Sequence, residues 1–201
     1  MRAWLLIAGV AAGLFAVTGQ VSADDKKDEK TGPIVLKVVS KQEKYVFDGG
    51  GKSPKDYKAD LEALAKSLEK GERVRPPKPL AVDLVLQLEN TSKEAVTVFV
   101  GGDTNVYKFE LTGGTGAVAM KNPVAFTADF RLPKGVTIEA GKTHEIPVKV
   151  LADGPRGISR LVFWTGPGEY KLTATYTLAD RNGGKGAELK SEPTRIVVAE
   201  K

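Results

Sequence analysis

The part of the sequence that most constrains the fold covers residues 164–178, WTGPGEYKLTATYTL. After a turn rich in glycine and proline, every second residue from Tyr170 to Leu178 is apolar, and lysine or threonine lies between them. Alternation over nine residues is typical of a strand with one face in a core and the other in solvent. This stretch therefore predicts a half-buried antiparallel strand, around which the rest of the chain is arranged.

The same alternation recurs between Ile34 and Val198 in eight or nine short runs, separated by turns of glycine, proline and asparagine. One short run, Tyr45–Phe47, is expected to continue the strand that starts at Ile34 or to pair with it. Pro147 lies inside another run and lacks the amide hydrogen of a central strand, so it predicts an edge strand or a bulge. Together these runs predict a mainly β fold, an antiparallel immunoglobulin-like β-sandwich.

Residues 48–79 interrupt the β pattern and predict one inserted amphipathic helix followed by a proline-rich connection. Ser53 can cap this helix, Pro54 suits its first turn and Gly71 suits its end. The apolar residues at helical spacing are Leu61, Leu64, Ala65 and Leu68. A helix of this length is marginal alone, so we expect its apolar stripe to pack on the edge of the sheet. A lid or partner-binding helix is the alternative.

Four residues of the opening stretch are assigned a structural role, namely Trp164, Gly168, Tyr170 and Leu172. The order Gly168-x-Tyr170 resembles the tyrosine corner of immunoglobulin-like sandwiches, in which the tyrosine hydroxyl bonds to upstream backbone. Antibody domains have a cysteine two residues after that tyrosine, at the position of Leu172. Trp164 and Tyr170 are expected to fill the end of the core, and a sugar-stacking platform is the alternative.

The N-terminal residues 1–23 differ in composition from the rest of the chain. Arg2 precedes an uncharged apolar run of 15 residues, and a small-residue cleavage site ends at Ala23. Because a membrane-spanning helix needs about 20 residues, we expect a cleaved signal peptide and no membrane span after cleavage. Residues 24–32 are charged and predict a flexible leader, which precedes a β-sandwich domain at residues 33–200. The protein is therefore expected to be periplasmic, cell-surface or extracellular.

Charge and cysteine content exclude several classes of function. The chain has no cysteine, which removes disulfides, thiolate metal sites and thiol nucleophiles. Its net charge is +5, and Arg2 is the only charged residue of the first 23, so the mature chain would carry +4. The lysines lie among acidic residues and form no basic stripe with aromatic residues, so no binding of nucleic acid is expected.

No motif in the sequence predicts a catalytic residue, a metal site or a cofactor. His144 is the only histidine and no G-x-S-x-G or H-E-x-x-H motif accompanies it, so we expect it at the surface or rim. Asp48, Asp103 and Asp153 lie in glycine-rich segments without the repeated acids of a calcium loop, so turn roles are expected. Asn90 begins a glycosylation sequon that is equally an ordinary hairpin turn.

Three segments carry a family resemblance: VDLVLQLENTSKEAVTVFVGGDTNVYKFEL, IEAGKTHEIPVKVL and WTGPGEYKLTATY. Over most of residues 33–199 they resemble a group of uncharacterised, exported bacterial immunoglobulin-like proteins of planctomycete type. That resemblance implies export and a β-sandwich. Residues 84–111 and 139–151 are also loosely similar in strand layout to the proteinase-inhibitor family named after a Bacillus intracellular inhibitor. The motifs are an L-x-L-x-N-x-S/T strand end and an x-G-K turn, and they imply no inhibitory residue in this chain.

The export signal, the β pattern and the lack of catalytic motifs together predict a non-enzymatic binding or envelope-associated module. Its partner is expected to be an envelope or extracellular protein recognised by loops between strands. The sequence specifies no binding residues, ligand or oligomeric state. One alternative is a protease inhibitor that presents an exposed loop at residues 113–123 or 152–158. Another is a carbohydrate-binding module that uses Trp164.

Cleavage after Ala23 is expected to leave a mature chain that starts at Asp24, because signal peptidase requires small residues before the scissile bond. Intact-mass measurement on protein recovered from the exporting cell checks this. Ala23→Phe should block cleavage and serves as the control. A native protein that still carries Met1 would contradict the assignment.

Overall fold

The computed structural model describes residues 32–123, 129–155 and 158–201. The signal peptide expected at residues 1–23 lies outside the described residues. So does the leader expected at residues 24–32, apart from its last residue.

The described residues form thirteen strands and one helix, so the protein is mainly β with one helix, as the sequence predicts. The elements are β1 (Ile34–Ser40), β2 (Tyr45–Phe47), α1 (Pro54–Glu69), β3 (Ala81–Asn90), β4 (Val96–Val100), β5 (Val106–Gly113), β6 (Ala117–Lys121), β7 (Lys134–Ile138), β8 (Thr143–Val150), β9 (Ala152–Pro155), β10 (Arg160–Trp164), β11 (Gly168–Ala179), β12 (Lys185–Lys190) and β13 (Thr194–Glu200). Within the three described ranges, no helix combines the length and the apolar composition that crossing a bilayer requires.

The strands form two sheets that share one core. The smaller sheet has the order β1-β3-β8 and is antiparallel throughout. The larger sheet has the order β2-β13-β11-β5-β9-β10-β6, with β12 and β4 also paired to β11, and β7 paired to β4. Leu36 and Leu86 of the smaller sheet belong to the same buried cluster as Phe109 and Leu172 of the larger one. This is the layered arrangement of a β-sandwich.

The opening stretch of the sequence analysis forms β11 near the middle of the larger sheet. Tyr170, Leu172, Ala174 and Tyr176 each expose 1 % of their surface or less. The first half of β11 pairs with β13 and its second half with β12, while β5 pairs along the other side. The register with β12 shifts between Thr177 and Ala179. That irregularity ends the alternation, so Leu178 is only half-buried.

Three strands differ from the expectations. Tyr45–Phe47 neither extends nor pairs with β1, because the chain crosses to the other sheet and pairs in parallel with β13. Sequence analysis did not predict β9, because this strand contains Asp153, Gly154 and Pro155, residue types that are rare in strands. Sequence analysis did not predict β12 either. Only Leu189 of its six residues is buried, so the strand shows no alternation of apolar and polar residues.

The helix begins and ends as its sequence predicts. The Ser53 hydroxyl oxygen accepts a hydrogen bond from the Asp56 amide at 3.2 Å, and Pro54 occupies the first turn. At the other end Gly71 adopts a φ of +78°, and the Glu72 amide donates to the Ser67 carbonyl oxygen at 3.0 Å. These bonds satisfy backbone groups that a helix terminus leaves without partners.

The apolar stripe of α1 covers the outer face of the last strands of the larger sheet. Leu61, Ala65 and Leu68 are buried in a second cluster with Met120 of β6 and Phe163 of β10. Alternate residues of β10 lie in the main core, so this strand is buried on both faces. The helix therefore packs on the face of the sheet beside its edge, and its stripe is already occupied within the chain.

The contribution of helix docking can be measured at single residues. Leu61→Ala should lower the free energy of unfolding by about 2–4 kcal/mol, because truncation of a fully buried leucine leaves a cavity. Leu64 is only half-buried, so Leu64→Ala should cost less than half as much. Urea denaturation checks both, with the exposed Lys66→Ala as a control expected within about 0.5 kcal/mol of wild type. Equal losses at Leu61 and Leu64 would contradict the docking described.

Candidate functional site

The four residues assigned a structural role lie together at one corner of the core. The Tyr170 hydroxyl donates to the Gly166 carbonyl oxygen at 2.8 Å and lies 3.1 Å from the Thr115 hydroxyl oxygen. Gly168 has a φ of +142°, and a Cβ there would lie 3.0 Å from the Gly114 Cα. Leu172 is 1 % exposed. The tyrosine hydroxyl therefore bonds to backbone four residues upstream in the chain.

Trp164 offers no ring face to a sugar. It is 3 % exposed, and its ring centroid lies 5.4 Å from that of Tyr45 inside the core. Tyr170 is 1 % exposed. A carbohydrate platform needs an open aromatic face, so the platform considered for this pair has no basis in the fold.

The loops considered for a protease inhibitor are largely strands. Residues 117–121 form β6 and pair with β10, and residues 152–155 form β9, which pairs with β5 and β10. Asp153 and Gly154 are buried. The expectation of exposed loops is therefore wrong for these residues, because a protease cleft requires a segment that stands free of its sheet.

The sequon residue Asn90 is the last residue of β3, at the turn by which the chain passes from the smaller sheet to the larger one. Its side chain is fully buried, and its amide nitrogen donates to the carbonyl oxygens of Glu94 at 2.7 Å and Ile138 at 2.8 Å. Ser92 donates its backbone amide to the Asn90 side-chain oxygen at 3.0 Å. These bonds form a turn, but the expectation of a hairpin is wrong, because β3 pairs with β1 and β8 whereas β4 pairs with β7 and β11 in the other sheet.

His144 lies half-buried on β8, opposite Leu88 of β3. Across residues 32–123, 129–155 and 158–201, no three residues among histidine, aspartate and glutamate cluster in a way that could hold a metal ion.

Asp153 was expected in a turn but forms part of β9, where it is 4 % exposed. One carboxylate oxygen accepts the Phe109 amide at 2.6 Å, and the other accepts the Arg160 Nε at 2.7 Å and pairs with the rest of that guanidinium. Burial raises the pKa of the Asp153 carboxyl, and the bonds from Arg160 and Phe109 oppose the shift in part. The pairing of β9 with β5 does not reach Phe109. The Asp153 carboxylate therefore accepts the hydrogen bond that the Phe109 amide would otherwise donate to a neighbouring strand.

A groove of about 490 Å³ lies beside β1 and has the shape of a binding site. One wall consists of residues 34–39 of β1. The opposite wall consists of Leu189, Lys190, Glu192, Pro193 and Thr194, where β12 passes into β13. We call this cavity the edge groove. It lies where the two sheets of the sandwich stand apart at their margin.

The wall formed by β1 is an unpaired strand edge. The Thr91 amide donates to the Pro33 carbonyl oxygen and the Lys41 amide to the Asp83 carbonyl oxygen, each at 2.8 Å. Odd-numbered residues of β1 thus bond to β3, and the even-numbered ones direct their amide and carbonyl groups away from it. Among the described residues, the hydrogen bond on this outer edge runs from the Thr194 hydroxyl to the Val38 carbonyl oxygen at 2.8 Å.

The other edge of the same sheet is blocked by Pro147. The Asn90 amide donates to the Lys142 carbonyl oxygen, so even-numbered residues of β8 bond to β3. Pro147 therefore occupies an outward position, where its missing amide hydrogen prevents a further strand from pairing in full. This confirms that Pro147 lies on an edge strand. β1 contains no proline, so the two edges differ in their capacity to accept a strand.

Comparison of the chain with models of known protein families, with curated proteins and with solved structures finds no match. The resemblance to exported bacterial immunoglobulin-like proteins therefore stays a prediction.

Sequence analysis missed the edge groove, because strand pattern alone does not show which edges remain unpaired.

Replacement of Asp153 should separate its acceptor role from its charge. Asp153→Ala leaves the buried Phe109 amide without a partner and should lower the free energy of unfolding by about 2–4 kcal/mol. Asp153→Asn retains an acceptor oxygen, and Arg160 is half-exposed and can turn to water, so the loss should be clearly smaller. Thermal and urea unfolding check the order, and equal losses would contradict it.

The raised pKa of Asp153 also predicts a dependence on pH. The folded state holds this proton more tightly than the unfolded state, so the group's contribution to stability is greatest below the ordinary pKa of 3.8. It falls as pH rises through the raised value. The stability of wild type minus that of Asp153→Asn should therefore decrease on raising pH from 3.8 and then level off. A difference that increases over this range would contradict the assignment.

Proposed function

We propose that this protein is an exported, non-enzymatic binding module with an immunoglobulin-like fold, and that it captures an extended peptide segment along β1. The observation that carries the proposal is the row of unpaired backbone groups of Ile34 and Leu36 on one wall of the edge groove. The segment would belong to an envelope or extracellular protein.

Three features support the immunoglobulin-like part of the proposal. The order β1-β3-β8 facing β13-β11-β5 matches the A-B-E and G-F-C strands of such sandwiches. The Tyr170 hydroxyl bonds to the upstream Gly166 carbonyl oxygen. The chain also passes from β1 in one sheet to β2 in the other, where β2 pairs in parallel with the last strand.

The chemistry of the edge groove suits an added strand. Ile34 and Leu36 would each offer one amide and one carbonyl group, about 6.6 Å apart along the strand. Alternate side chains of the bound segment would enter the groove beside Leu189 and Pro193, and the others would lie next to Val35 and Lys37. Main-chain bonds then supply affinity and the groove selects side chains. The preferred ligand is a segment of about six residues with apolar side chains at every second position.

The lining of the edge groove also favours binding over catalysis. Its side chains are mostly aliphatic, and the acid among them is Glu192, which lies on the exposed connection. Lys37 forms an ion pair with Glu89 across the ladder to β3. The groove thus combines apolar surface with directional backbone groups, the combination that holds an extended chain.

Hydrogen exchange on the mature protein tests the proposal at single amides. A bead-displayed library of ten-residue peptides with alternating apolar and polar positions supplies the probe. In the free protein the amides of Val35 and Lys37 pair with β3 and should exchange slowly. The amides of Ile34 and Leu36 have no partner on β3 and should exchange faster, although these residues expose only 4 % and 2 % of their surface. A selected peptide should protect Ile34 and Leu36. Binding that leaves both amides in fast exchange, or a library without binders, would overturn the proposal.

A pair of proline variants provides a matched control. Pro193 is exposed and lines the edge groove, whereas Pro147 is exposed on the opposite edge strand. Pro193→Arg places a long side chain in the groove and should weaken peptide binding by about tenfold or more. Pro147→Arg should leave affinity within about twofold. Loss of binding in both variants would point to a general effect on the fold and would contradict the location of the site.

A further inference from the structure

A second groove, of about 710 Å³, lies between the end of α1, the connection that follows it and the end of β6. Its charged lining consists of Arg73, Arg75, Lys121 and Glu72, and its apolar lining includes Leu68, Val74, Pro76 and Pro123. We call this cavity the basic groove. Arg73 and Arg75 come from the connection after the helix, and Lys121 comes from a strand more than forty residues later.

The cations of the basic groove are free for a ligand. Arg73, Arg75 and Lys121 are exposed, and no ion pair joins any of them to an acid of the described residues. Elsewhere on the surface, many lysines and arginines do pair with acids, as Lys52 does with Asp60 and Arg195 with Glu169. Glu72 is the one acid of the lining, so the groove presents an excess of two positive charges.

The walls of the basic groove are held in place by backbone structure. The Schellman bonds at Gly71 end the helix and direct the chain into the groove wall. Val74 packs against the cluster beneath α1, and Pro76 has a fixed φ and limits the backbone conformation of Arg75 before it. On the other wall, the Asn122 side chain donates to the Ile158 carbonyl oxygen at 2.9 Å. A ligand would therefore meet a preformed surface and lose little free energy in ordering it.

We propose that the basic groove binds an acidic polypeptide segment that also carries aliphatic side chains. The excess of cations calls for carboxylates, and the half-buried Val74 and Pro76 together with the exposed Pro123 call for aliphatic contact. A flat lipid surface would not enter a concave site. A polysaccharide or nucleic acid would favour stacking on aromatic rings, and none lines this groove. The site is independent of the edge groove, since the two share no lining residue.

Fluorescence anisotropy with labelled peptides tests the proposal on the mature chain. One probe is a ten-residue peptide of six glutamates and four leucines, the second is deca-glutamate, and the third is a sulfated polysaccharide. The mixed peptide should bind most tightly, and its affinity should fall as salt is raised, because exposed charge pairs are screened. Tighter binding of deca-glutamate or of the polysaccharide would overturn the proposal in favour of a general polyanion site.

Charge-matched double variants locate the site. Arg73→Gln with Arg75→Gln should weaken binding of the mixed peptide by about tenfold. Lys93→Gln with Lys142→Gln removes the same charge from exposed positions outside the groove and should change affinity by less than about twofold. Pro193→Arg should have no effect, which separates this site from the edge groove. Equal weakening in both double variants, or no binding of the mixed peptide, would overturn the proposal.

Discussion

One face of β11 is removed from water at Tyr170, Leu172, Ala174 and Tyr176, while its backbone pairs with strands on both sides. Because the side-chain period of a strand is two, a slip of one residue would bring threonine and lysine into the core and expose the tyrosines. The register of β11 therefore determines the registers of β5, β12 and β13. The smaller sheet then closes the other side of the same core.

Because β11 and its neighbours are buried, the polar groups beside them need hydrogen-bond partners inside the protein. Where the larger sheet narrows at β9, the Asp153 carboxylate accepts the Phe109 amide, and a buried charge is tolerated because Arg160 reaches it from the surface. At the corner after β10, the Tyr170 hydroxyl satisfies the Gly166 carbonyl oxygen. A buried polar group without a hydrogen-bond partner lowers the stability of the fold. The burial of β11 and β10 therefore requires these contacts.

The edges of a sandwich present the opposite problem, since exposed amide and carbonyl groups can recruit other chains. On β8 the outward position of Pro147 limits this, whereas the outward groups of β1 face the edge groove. Helix α1 covers neither edge. It packs on the face of β6 and β10, and its end contributes Arg73 and Arg75 to the basic groove. The edge groove and the basic groove are thus formed by a strand edge and a helix end that do not belong to the hydrophobic core.

Local pattern was sufficient for much of the fold. The alternation from Tyr170 identified β11, the Ser53 and Gly71 signals bounded α1, and Pro147 indicated an edge strand. It failed where residue type and environment disagree, as for Asp153 in β9, and where a strand is mostly exposed, as β12 is apart from Leu189. It also failed for β2, because three residues do not reveal which sheet they will join.

The sequence by itself determined which side chains lie inward on the strands with clear alternation, such as β11, and where the helix begins and ends, since periodicity and capping act over a few residues. Only the tertiary structure decided that the outer edge of β1 stays unpaired, that Trp164 is enclosed, and that Lys121 lies beside Arg73. Those features depend on contacts between segments far apart in the chain. Both candidate sites belong to this second class, because each is formed by segments that meet only when the sandwich closes.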